Sequence, residues 1–144
     1  MTSKTDSVRV WARRGIGAAL ILLSGVSLVM TLGGVLVAHT DVAISVTGPP
    51  TFGFYLYAAV QMVLALAGMV LGALGVFALP STKWLVVAWC LLLTLASCAS
   101  LPLAIIENAM DAFVWMVTTA CGLALPWSLA LLLLGLDRGS QSHH

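Results

Sequence analysis

Charge is what this sequence has least of. Its 144 residues include six Lys and Arg and five Asp and Glu, eleven charges in all. A soluble domain of this length carries about a quarter charged residues, roughly 36. Such poverty excludes a disordered chain, a nucleic-acid binder and an ordinary cytosolic enzyme. The net charge of +1 creates no field to gather nucleic acid or acidic partners. Cysteine is scarce too. Cys90, Cys98 and Cys121 lie in apolar runs, their number is odd, and no CxxC occurs. That argues against a disulfide framework, a zinc site and a paired-thiol redox centre. Such cysteines behave as small hydrophobes.

Apolar residues fill the space that charge leaves. Hydrophobic residues make up 61% of the chain, and the mean hydropathy is +1.10. A helix needs about 20 apolar residues to cross the hydrocarbon core. Four runs, 15–38, 54–79, 84–106 and 112–136, meet that length without an Asp, Glu, Lys, Arg or His. The first has a basic flank, as signal peptides do, but it is longer than the 7–15 residues of a signal core. Leu36-Val37-Ala38 also puts a bulky residue where a cleavage site wants a small one. It is read as a retained membrane helix.

The links 80–83 and 107–111 are short, and short links force antiparallel neighbours. The expected fold is an all-α integral membrane protein. Four antiparallel transmembrane helices would form an up-down bundle, with 1–144 as a single domain. Only the connection 39–53 has any size. Val42, Ile44 and Val46 alternate there with Ala43, Ser45 and Thr47, ahead of Gly48-Pro49-Pro50. That period of two predicts a short extended segment closed by a turn.

Basic residues set orientation in a membrane. Lys4, Arg9, Arg13 and Arg14 precede the first span, Lys83 lies between the second and third, and Arg138 follows the fourth. All six fall on one side. The other side has Asp41, Glu107 and Asp111 instead. Both termini are therefore expected in the cytoplasm, in a multi-pass protein of the plasma membrane. The richness in Ala, Leu, Val and Gly has a bacterial, high-GC look. Phe52, Phe54, Tyr55, Tyr57, Phe113 and Trp115 cluster at the outer ends, and Trp11 and Trp84 mark the inner ones. That distribution matches interfacial anchoring, which is favoured over a ligand cage.

Ionisable residues at membrane depth default to function, and the four runs contain none. The simplest proton-coupled mechanisms are thereby removed. Small four-helix multidrug exporters need a carboxylate in helix one, where this chain has Ser24, Ser27 and Thr31. Haem ligation would want His on a helix, but His143 and His144 lie in the tail and His39 at an outer boundary. No catalytic residue, metal or cofactor is expected.

The most polar residue within a run is Gln61. It belongs to a stripe of Ala58, Gln61, Ala65, Gly68, Gly72 and Gly75, whose spacings of three and four keep one helical face. Gly68 and Gly72 form a small-xxx-small pair, which lets backbones approach closely. Ser24, Ser27, Thr31 and Gly34 repeat the spacing in the first run. These two faces are expected to pack on each other. The functional alternative is that they form the seam of an oligomer. In the third and fourth runs, Cys98 and Cys121 fall at one depth, roughly 12–14 Å below the outer surface at 1.5 Å per residue. With Ser97, Ser100, Thr118 and Thr119 they predict a packing layer of small residues. Pro102 and Pro126 mark kink sites. On the outer rim, His39, Asp41, Glu107 and Asp111 are candidates for a partner or ligand. Asp111 also suits a helix N-cap.

The favoured function is that of a non-catalytic membrane protein acting through helix contacts. An accessory subunit of a larger complex, respiratory or energy-transducing, fits best. Its partners would be the lipid bilayer, other membrane subunits or itself, with no nucleic acid. One alternative is an oligomeric channel or transporter lined by Gln61 and the helix-one hydroxyls. Another is an immunity-type protein that binds a membrane-active toxin. An enzyme acting on lipid or quinone is the residual case.

Overall fold

The computed structural model describes residues 4–47, 49–77, 82–107 and 109–141, with side-chain surroundings over 7–41, 43–45, 49–77, 82–99 and 116–136. It is helical throughout, and no strand occurs among the described residues. The elements are α1 (Lys4–Ala38), α2 (Asp41–Thr47), α3 (Phe52–Val76), α4 (Thr82–Glu107) and α5 (Ala109–Gln141). Four of them contain stretches long and apolar enough to cross a membrane: Ser7–Ala38, Phe52–Val76, Thr82–Ala99 and Met116–Leu136. Each overlaps one of the four apolar runs.

Two helices outrun their apolar segments. At 35 residues, α1 is about 52 Å long, more than a hydrocarbon core needs. Its first turns carry Lys4, Arg9, Arg13 and Arg14. In the same way α5 continues past Leu136 through Asp137 and Arg138, with Pro126 inside it. Hydropathy marks where a helix leaves lipid, not where it stops.

The extended segment expected over 42–47 is instead the helix α2. Thr40 makes the junction. Its hydroxyl donates to the Val37 carbonyl at 2.8 Å and accepts from the Ala43 amide at 3.3 Å, closing α1 and capping α2. A period of two over six residues is a weak signal. A helix satisfies its own backbone groups, which an isolated strand cannot do. The turn Thr51 then caps α3, accepting from the Phe54 amide at 3.4 Å.

The packing is uneven. α1 lies mainly against α3, α4 against α5 and α3 against α4, while α1 and α5 touch least of these. Ile16, Leu20, Leu64, Val86, Trp89, Cys90 and Ala130 form the buried core. Beyond Ser24, α1 has no fully buried residue. Tryptophans away from the helix ends stitch the helices together. Trp89 of α4 donates its indole N–H to the Leu64 carbonyl of α3 at 2.7 Å. Trp127 of α5 donates to the Thr94 hydroxyl of α4 at 3.1 Å, and that hydroxyl donates to the Cys90 carbonyl at 2.8 Å. An indole N–H needs such a partner when buried.

Candidate functional site: a cavity lined by four helices

Close approach of α1 and α3 sets the frame. A Cβ placed on Gly17 would lie 2.6 Å from the Gly72 carbonyl oxygen and 2.7 Å from the Val76 amide nitrogen. One on Gly72 would lie 2.7 Å from the Gly17 carbonyl oxygen. Only glycine fits a contact of backbone on backbone. Gly75 lies over Gly17 more loosely, at 3.3 Å from its Cα. Farther along, a Cβ on Gly68 would run into the Ser24 hydroxyl and the ring of Trp89. Gly68 is thus the point where α1, α3 and α4 converge.

The two stripes part beyond this point. Ser24 is buried, with Ala58, Ala65, Gly68 and Gly72 of α3. Gln61 is half-buried. Ser27 is exposed, and Thr31 bonds back to the Ser27 carbonyl at 2.8 Å. A Cβ on Gly34 would meet nothing within 4 Å. Straight helices that cross at an angle share only a short contact, so a stripe of fixed spacing does not stay in it. The partner missing from the sequence reading is Gly17. It sits seven residues before Ser24, on the same face continued toward the N-terminus.

Where the helices part, they enclose a cavity of about 300 Å³. Its polar lining comes from every long helix: Ser24 and Ser27 of α1, Tyr57 and Gln61 of α3, Ser97 of α4 and Thr119 of α5. The Gln61 side-chain amide donates to the Tyr57 hydroxyl at 3.1 Å, one turn away. Trp89 and Pro126 contribute apolar walls. Tyr57, Ser97 and Thr119 were not singled out as site residues, because nothing in their spacing aims them at Gln61. The expected layer around the cysteines is not a packed one. Cys98 and Cys121 are exposed and free, whereas Cys90 is buried and free. Ser97 turns inward and Cys98, its neighbour, turns out.

The outer-rim candidates are not brought together in the described part of the chain. His39 donates from Nδ1 to the Val35 carbonyl at 2.7 Å, since only a protonated nitrogen can bond a carbonyl. Its Nε2 lies 2.8 Å from the Tyr55 hydroxyl, which donates to it when the ring is neutral. The two rings sit 5.8 Å apart. Asp41 is exposed in the first turn of α2, where a carboxylate suits the helix dipole. Glu107 ends α4 and Asp111 lies in the first turn of α5, but their side chains fall outside the described residues. So do those of Ser100, Pro102, Phe113 and Trp115. Among the described residues, no group of three His, Cys, Asp or Glu is placed to hold a metal ion.

The chain matches no protein-family model, and no curated protein and no solved structure is significantly similar to it.

Proposed function

We propose that this protein is a multi-pass protein of a bacterial cytoplasmic membrane that acts without catalysis, as an accessory subunit docked on a larger membrane assembly. Its four spans form an up-down bundle of antiparallel helices with both termini in the cytoplasm. Two contacts support antiparallel packing of α1 on α3. Gly17 lies against Gly72 to Val76, while Ser24, farther along α1, lies against Gly68, earlier in α3. The position of the six basic residues supports the orientation.

The observation that carries the docking role is the outer half of α1. Across its most apolar 18 residues only 11% are buried within the chain, the same share as in α5, against 22% for α3 and 28% for α4. Leu22, Val26, Val29, Gly33 and Leu36 follow one another at spacings of four and three, and the four large residues among them are exposed. A Cβ on Gly33 would meet nothing within 4 Å. A ridge of bulky residues around an open glycine is the surface a second membrane helix packs on.

Site-specific photo-cross-linking in native membranes tests this. A cross-linker at Val29 should give one discrete protein adduct, lost when Gly33 is changed to Leu. A cross-linker at Leu95, exposed on α4, the span the chain itself buries most, should give a weaker adduct or none. Adducts with lipid alone at every α1 position would overturn the docking role. A second reading, an oligomeric channel or transporter, draws support from the way Ser24, Ser27 and Gln61 face one cavity. It requires solute flux in liposomes that Gln61→Leu reduces, and no flux for a panel of ions and small solutes would sink it.

A further inference from the structure

The geometry points to the cavity as a binding site for an uncharged, lipid-soluble molecule that presents a hydrogen-bond-accepting carbonyl at one end of an apolar body. This goes beyond the docking role and does not depend on it.

Charge is excluded by the lining. Among the described residues no Asp, Glu, Lys, Arg or His borders the cavity, so an ionic ligand would be stripped of water with none of them to pair with. Most of the wall is apolar, contributed by residues such as Leu23, Trp89 and Leu93. Such walls fit an apolar body.

The polar end is defined by Ser24. Its residue is only 2% exposed, and its Oγ has no hydrogen-bond partner. Other hydroxyls in the spans behave differently. Thr31, Thr94 and Ser128 each donate to the carbonyl four residues earlier, at 2.8, 2.8 and 2.7 Å. That is the ordinary way to satisfy a hydroxyl in a membrane helix. Ser24 instead keeps an unspent donor packed against Gly68 and the Trp89 ring, at the edge of the cavity that its residue lines. Gln61 faces the same space, and its amide has a second N–H besides the one given to Tyr57. A carbonyl oxygen in that space can accept from the Gln61 amide, and from Ser24 once its side chain turns from Gly68 toward the cavity. A hydrocarbon chain could fill the space but would leave Ser24 unsatisfied.

The route in is lateral. α1 and α5 touch less than the other neighbouring long helices. Ser27 on one side and Gly122 and Leu125 on the other line the cavity, and all three are exposed. That mouth opens within the spans, toward acyl chains. At about 300 Å³ the cavity suits a ring or a compact headgroup, at the small end of ligand pockets. A longer tail would trail through the mouth. A quinone ring and a glyceride ester both have the required chemistry.

The test uses the full chain in lipid nanodiscs and a photoreactive benzoquinone with a short alkyl tail. Adducts are mapped by peptide mass spectrometry. Labelling should saturate and fall on 23–27, 57–61 or 122–126. Excess unlabelled quinone or excess dioleoylglycerol should displace it, and whichever does so identifies the source of the carbonyl. Excess dodecane should not. Ser24→Ala should raise the half-saturating concentration about fivefold, the worth of one neutral hydrogen bond. Gln61→Leu should also weaken labelling, and melting of each variant checks that it is folded. Labelling that rises linearly with probe, that dodecane displaces equally, or that neither variant changes would overturn the proposal.

Discussion

The indole nitrogen of Trp89 bonds the carbonyl of Leu64 one turn before Gly68, the residue whose missing side chain leaves room for the ring. A larger residue at 68 would displace the tryptophan, so these positions act as a unit. Hydrogen bonds between membrane helices are worth about 0.6 kcal/mol on average. Trp89→Phe, which keeps most of the ring, should therefore cost roughly 0.5–1 kcal/mol in denaturant unfolding. Trp89→Ala should cost about 3–5 kcal/mol, because it opens a hole where α3 and α4 meet. Equal effects for the two substitutions would place the weight on the hydrogen bond and contradict this division.

Glycines of α1 differ sharply in what surrounds them. Gly17 is pressed against the backbone of α3, while a Cβ on Gly25 would meet nothing within 4 Å. Backbone cannot swing aside as a side chain can. Gly17→Ala is expected to destabilise the bundle by about 1–3 kcal/mol, the usual cost of overpacking. Gly25→Ala should be neutral or raise stability by about 0.4–1 kcal/mol, since alanine favours the helix. Thermal melting of both variants in one detergent decides it. A loss at Gly25 as large as that at Gly17 would show that the α1–α3 contact is not where the close approach lies.

Ser24 carries a second, opposite expectation. A buried hydroxyl without a partner costs roughly 1–3 kcal/mol. In protein stripped of bound lipid, Ser24→Ala should melt higher than the parent, in the direction opposite to an ordinary core substitution. With the cavity filled by an acceptor the sign should reverse or the gain vanish. A variant that melts lower in the stripped state would mean that its hydroxyl already has a partner.

The spans were legible because lipid imposes a single rule on every turn of a helix, and hydropathy records it directly. The close contact was half legible. Gly68 and Gly72 form a recognisable small-residue pair, and Ser24 faces Gly68 from a stripe of matching spacing. Where along that stripe the helices meet depends on crossing angle, which no local pattern encodes. Gly17 therefore lies outside the stripe, and the stripe runs on to Gly34, where a Cβ would meet nothing within 4 Å. The helical segment 41–47 was hidden by a chance alternation of Val, Ile and Val. The cavity was the least legible feature. It requires Gln61, Ser97 and Thr119 to converge from three helices whose relative rotations are set by packing alone.

Orientation gives the remaining prediction. Arg9, Arg13 and Arg14 continue α1 as a charged helical extension below its apolar stretch, while Pro49 sits exposed in the turn before α3. Positive charge is retained on the cytoplasmic face. In intact cells a Pro49→Cys variant, with the three native cysteines replaced by Ala or Ser, should react with a membrane-impermeant maleimide. A Ser7→Cys variant in the same background should react only after the membrane is permeabilised. The opposite pattern would invert the protein and move the cavity mouth to the other leaflet. Labelling of both variants in intact cells would mean mixed insertion, against the single orientation proposed from the positions of the six basic residues.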